Sequence, residues 1–149
     1  MTLKQRIHQQ YSLLLQDKID VFRDMIAALT EDSKNDAKGS AGDKHETALS
    51  MMHIEQEKLN RKLQEFLEQK EILDKIDATQ NHQKIALGSI VKANEMWLFV
   101  STALPKITIE EKTIIAVSAQ SPLGSNLIGK EVGFSFEILA STYVVESVD

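Results

Sequence analysis

Ala37-Lys38-Gly39-Ser40-Ala41-Gly42-Asp43-Lys44-His45-Glu46 decides the architecture. Its two glycines interrupt a sequence in which neither residues 1–38 nor residues 43–87 contain glycine or proline. Two long segments without breakers on either side of a short Gly-Ser-Ala-Gly break are what a helix–turn–helix hairpin needs. Working outward, the apolar spacing supports the same division. Ile7, Tyr11, Leu14, Val21, Met25 and Ala28 follow alternating steps of four and three, with Lys18 filling one position. Leu49, Met52, Leu59, Leu63, Phe66 and Leu73 repeat the pattern after the break, interrupted by Gln56 and Lys70. Such heptad stripes bury each other by pairing lengthwise, which predicts an antiparallel coiled-coil hairpin over residues 1–77 with its tip near 39–46.

The character of the sequence changes after Asp77. Residues 78–84 read as a polar linker, and residues 85–149 as a separate small domain. Short β-branched and aromatic runs at 88–92, 96–101, 113–118, 134–139 and 143–148 are separated by turn residues. Val132, Phe134, Phe136 and Ile138 alternate with Gly133, Ser135 and Glu137, the pattern of a half-buried strand. Residues 123–128 add one helical turn, and 106–112, with Glu110-Glu111, reads as a solvated turn. The fold class expected is α+β, a helical hairpin followed by a small antiparallel sheet.

Composition limits the chemistry. Of 149 residues, 42% are apolar and 26% charged, the balance of a globular protein, and the absence of cysteine removes disulfides, thiolate ligands and cysteine nucleophiles together. No segment has the form of a secretory signal, and no apolar run approaches membrane-spanning length, so a cytoplasmic protein is expected. The formal net charge is −5. Neither part carries the basic excess that phosphate neutralisation requires, which argues against direct nucleic-acid binding as the main activity. Acting near nucleic acid would require a protein partner.

Asp43 and Glu46 stand three apart at a helix start, where both carboxylates can face one side. They read as a capping box, each acid answering the other's backbone amide. They also read as half of a site for a hard divalent cation, to which two carboxylates supply oxygen ligands but not a complete shell. The readings are compatible. His8, His45, His53 and His82 have no zinc-ligand spacing and most are expected to be solvated, and Ser121 lacks a nucleophile-elbow context. Trp97, Phe99, Phe134, Phe136 and Tyr143 read as core rather than as an active-site lining.

Gly42-Asp43-Lys44-His45-Glu46 resembles the Gly-Asp-x-x-Glu signature of the bacterial Gre family of transcript-cleavage factors. Ser121-Pro122-Leu123-Gly124 and Leu127-Ile128-Gly129-Lys130-Glu131-Val132-Gly133 are similar to that family's Ser-Pro loop and Leu-(Leu/Ile)-Gly-Lys-x-x-Gly turn. The order of parts is also similar, so the resemblance spans nearly the whole chain. It implies an FKBP-like C-terminal domain and a monomeric accessory factor that docks on RNA polymerase. It further implies insertion of the hairpin into the polymerase's secondary channel and stimulated cleavage of backtracked nascent RNA by the polymerase's own active site. By the same resemblance Asp43 and Glu46 are the catalytic and metal-binding acids, acting on a Mg²⁺ shared with the polymerase. Ser121, Pro122 and Leu123 match the loop that meets the polymerase rim. Where the family usually has Asn after the tip Glu and an aromatic soon after, this chain has Thr47 and then Ala48-Leu49-Ser50. Two other functions stay open: a channel-binding regulator that supports no cleavage, and a coiled-coil adaptor unrelated to transcription.

Overall fold

The computed structural model describes residues 1–39 and 43–149, with the side chains of 35–45 outside the description. Two long helices, α1 (Leu3–Gly39) and α2 (Asp43–Asp74), precede strands β1 (Ile90–Ala93), β2 (Met96–Ser101), β3 (Ile107–Ile109) and β4 (Lys112–Ser118). A short helix α3 (Pro122–Leu127) and strands β5 (Ser135–Ile138) and β6 (Ser141–Val148) complete the chain. This is an α+β protein. It divides into two compact units, one made of residues 14–70 and one that groups residues 1–13 and 71–149. The ends of both long helices, which the expected boundary at Asp77 leaves with the hairpin, therefore group with the sheet.

In the unit of residues 14–70, the two helices contact each other in opposing order. The Phe22 ring meets Phe66 edge-on with centroids 5.1 Å apart, and Gln56 Nε2 donates to Thr30 Oγ1 over 3.0 Å. At about 1.5 Å rise per residue, the 28 residues of α2 inside this unit extend about 40 Å. The α2 stripe is the expected one: Leu59 and Phe66 are buried, and Leu49, Met52, Gln56 and Leu63 are half-buried. The α1 stripe differs. Val21 and Met25 are 53% and 43% exposed, while Leu15 and Ile19 are buried and Phe22 and Ile26 half-buried. The frame moves one residue after Tyr11, because an extra step of four carries 11 to 15 where a strict heptad takes 14. An α-helix turns every 3.6 residues, so a strict heptad lags by about 20° per repeat, and an occasional extra step of four offsets that lag. Two of the three polar seam positions have visible uses. Gln56 bonds across the pair, and Lys18, together with Lys62, holds its ammonium over the Phe66 ring, 5.5 and 5.3 Å from the centroid.

In the other unit, α1 starts with a reciprocal cap. Gln5 N–H donates to Thr2 Oγ1 and Thr2 N–H to Gln5 Oε1, which satisfies two donors that the first turn leaves open. The strands form one six-stranded sheet in the order β3-β4-β2-β1-β6-β5. The expectation of an antiparallel sheet is corrected here to a mixed one, since β2 and β4 run parallel, from Trp97 beside Ile114 to Ser101 beside Ser118. The reason lies in β3, which residues 106–112 were not expected to contain. The chain leaving β2 skips one position to lay Ile107–Ile109 at the edge, then returns to place β4 between them in β2's own direction. Only Glu110 and Glu111 form the turn, both at positive φ (53° and 65°), as the tight hairpin turn with two left-handed residues requires.

Alternation along the strands gives the sheet two covered faces. On one, Val91, Ala93, Leu98, Val100, Phe136 and Val145 form a core with Ile85 and with Leu127 of α3. On the other, Tyr11 of α1 stacks on Phe99, rings 5.9 Å apart and 7° from parallel. The Tyr11 hydroxyl donates to the Pro105 carbonyl over 2.7 Å, and burial pushes the phenol pKa up to about 12.

Candidate functional site

The turn that joins the long helices carries the predicted acids. Asp43 is the first residue of α2, and its side chain lies outside the described residues, so its pairing with Glu46 and the capping box do too. Glu46 is exposed in the first turn of α2. Among the described residues no group of three or more His, Asp or Glu is placed to hold a metal ion. In kind, Glu46 and Asp43 fit a hard cation, which takes oxygen ligands; in number they fall short of the six Mg²⁺ demands.

The second predicted element, Ser121-Pro122-Leu123, is a built helix start. Ser121 is the N-cap of α3: its hydroxyl accepts from Gly124 N–H (3.0 Å) and donates to the Ser118 carbonyl (2.7 Å). Pro122 follows at the first helical position, where its missing N–H costs nothing and its fixed φ suits the helix. Gly124 is required by space, because a Cβ there would sit 1.9 Å from the Ser118 carbonyl oxygen. Leu123 packs against the core. Of the three residues, Pro122 alone is exposed.

The rest of the motif has the same kind of cause. Leu127 is fully buried, and Gly129 sits at φ +84°, a conformation that L side chains rarely adopt. Gly129 N–H donates to the Ile85 carbonyl (2.7 Å) and Ile85 N–H to Lys130 O (2.8 Å), which ties the turn to the segment entering the sheet. These residue types are therefore dictated by backbone geometry, and Pro122 also suits its place at the start of α3 while its ring stands exposed.

Two histidines correct the expectation of solvated rings. His8 Nε2 lies 2.7 Å from the Leu73 carbonyl. His82 Nδ1 lies 2.8 Å from the hydroxyl of the fully buried Ser89, which itself accepts from Ala86 N–H. The hydroxyl and the ring share one hydrogen bond, whose direction follows the tautomer of the ring. Desolvation lowers the His82 pKa, and the nearby Lys4 charge lowers it further, against a backbone hydrogen bond to Asp149 that raises it. Lys4 is itself buried, donating to the Gln80 carbonyl over 2.6 Å, and desolvation lowers its pKa. The partners of His8 and Lys4 are backbone carbonyls far along the chain, which a pattern of side chains does not announce.

No protein-family model matches the chain, and no curated protein is significantly similar to it. No helix among the described residues is long and apolar enough to cross a membrane.

Proposed function

We propose that the chain is an accessory transcription factor of Gre type, which binds RNA polymerase and stimulates cleavage of backtracked RNA by the polymerase's own active site. The observation that carries the reading is the arrangement along the chain. A pair of long helices, whose joining turn opens α2 with Asp43 and an exposed Glu46, is followed by an α+β unit with the Ser121–Pro122 helix start and the Gly129 turn. In this reading the helix pair acts as a coiled coil entering the secondary channel, and the sheet unit is FKBP-like. Asp43 and Glu46 would offer oxygen ligands to a Mg²⁺ whose other ligands come from the polymerase. A bound Mg²⁺ stabilises charge on phosphoryl oxygens and lowers the pKa of water. The acids themselves hold ligand atoms and orient the attacking water, while Pro122 offers the exposed contact with the polymerase. The protein is then not an enzyme alone, and it works as a monomer in the cytoplasm.

A second reading rests on the turn itself. Thr47 and Ala48-Leu49-Ser50 stand where the family has Asn and an aromatic, which favours a channel-binding regulator without cleavage. Both readings require polymerase binding. Gel filtration of the chain with core polymerase is expected to show co-elution, weakened by Pro122→Ala. Failure of the parent chain to co-elute would remove both and leave the adaptor.

A further inference from the structure

Lysines are rarely buried without a charged partner, and Lys4 is only 4% exposed. The hydrogen bond that holds its ammonium goes to a neutral acceptor, the Gln80 carbonyl, 2.6 Å away. The side chain also lines a cavity of about 230 Å³, together with Thr2, Leu3, Asn81, Ile90 and Asp149. Its surroundings put the amine end there. Gln80 adjoins Asn81, and the Asp149 carboxylate whose charge acts on the amine lines the same cavity. Burial favours the neutral amine and pushes the Lys4 pKa down, while the Asp149 and Asp77 charges push it up. His82 is the third titratable group near it, since the Lys4 charge acts on that ring.

An ordinary lysine at pH 7 is a neutral amine in about one molecule in 2,500. Desolvation raises that fraction, and a neutral amine beside a small cavity is a nucleophile. We propose that Lys4 is a covalent modification site, which condenses with a small neutral aldehyde or ketone admitted to this cavity. The Nζ lone pair attacks the carbonyl carbon, and the π pair of the carbonyl moves to oxygen. That oxygen takes up, through solvent, the proton that nitrogen gives up. The carbinolamine then loses its hydroxyl together with the remaining N–H proton as water, leaving an imine, and no oxidant or reductant is consumed. The carboxylates of Asp149 and Asp77 disfavour an anionic carbonyl compound, while Leu3 and Ile90 suit a short alkyl chain. The site uses none of Asp43, Glu46 or Pro122, and the inference does not rest on the transcription reading.

The test incubates the full chain at pH 7 with propanal and sodium cyanoborohydride, which traps the imine as a propylamine. Peptide mass spectrometry then reads each lysine separately. Lys4 is expected to be propylated about tenfold faster than the exposed Lys34 and Lys62, and to lose that lead in concentrated urea. Asp149→Asn, at an exposed position, removes a charge that favours the ammonium and should speed the labelling of Lys4. Its melting curve checks that the fold is kept. Glyoxylate, an anionic aldehyde, should give Lys4 a smaller lead over Lys34 and Lys62 than propanal does. Labelling of Lys4 in the folded chain at or below the rate of the exposed lysines overturns the proposal. A lead that persists in urea, or a slower Lys4 in Asp149→Asn, overturns it as well.

Discussion

Gly124 shows how much a single residue position fixes. Any side chain there drives a Cβ to 1.9 Å from the Ser118 carbonyl oxygen, a backbone atom that cannot swing away. Gly124→Ala is therefore expected to cost about 3 kcal/mol or more, the upper range for overpacking, read as a fall in the denaturation midpoint. Ser121→Ala removes the cap of α3 and the hydroxyl's bond to the Ser118 carbonyl, and should cost about 1–2 kcal/mol in the same measurement. His82 makes a prediction about pH. Its pKa is depressed in the folded chain, so the unfolded chain takes up the proton first as pH falls. The contribution is fully present above the ordinary histidine value near 6.5 and declines as pH drops below it. Stability measured from pH 7 to 5 should fall less steeply in His82→Gln than in the parent. An unchanged slope would contradict a depressed His82 pKa in the folded chain.

At the scale of elements, the two long helices were legible because glycine and proline are missing from them, and the break between them is all glycine and small residues. The α2 stripe was legible as well, since a heptad and the observed pattern agree there. In α1 they part at Leu15, and the apolar residues Leu13, Leu14 and Leu15 are consecutive, so composition alone gives three frames and no means of choosing. Mutation separates them. Phe22→Ala removes the ring edge-on to Phe66 and should cost about 3 kcal/mol, while Val21→Ala, at an exposed position, should stay within about 0.5. Far-ultraviolet ellipticity against urea would measure both, and the reverse order would restore the strict heptad. Strand β3 escaped notice for another reason. Its three residues precede a turn of two glutamates, and the left-handed conformation that Glu110 and Glu111 adopt is normally announced by Asn or Gly. Missing that strand hid the parallel β2–β4 pair, because the pairing follows from the skipped position and not from any residue in β2 or β4.

For the whole molecule, the α+β order follows from the sequence, and the motif at Ser121–Gly133 has a physical basis in a cap, a packed glycine and a left-handed turn. Those features explain residue types without invoking a partner. Support for the transcription function comes from what stands exposed: Pro122, and an acid in the first turn of α2. Replacing Glu46 should leave the melting curve nearly unchanged, within about 0.5 kcal/mol, because a solvated carboxylate supports little structure. Its expected effect is on the polymerase.

The direct test is RNA shortening in backtracked elongation complexes, followed with Mg²⁺ present, for the parent chain, Asp43→Ala and Glu46→Gln. Accelerated 3′-end cleavage by the parent is expected, with the acceleration lost in both variants while each still co-elutes with polymerase. A parent chain that binds polymerase yet leaves the cleavage rate at its basal value, or variants as active as the parent, would contradict it.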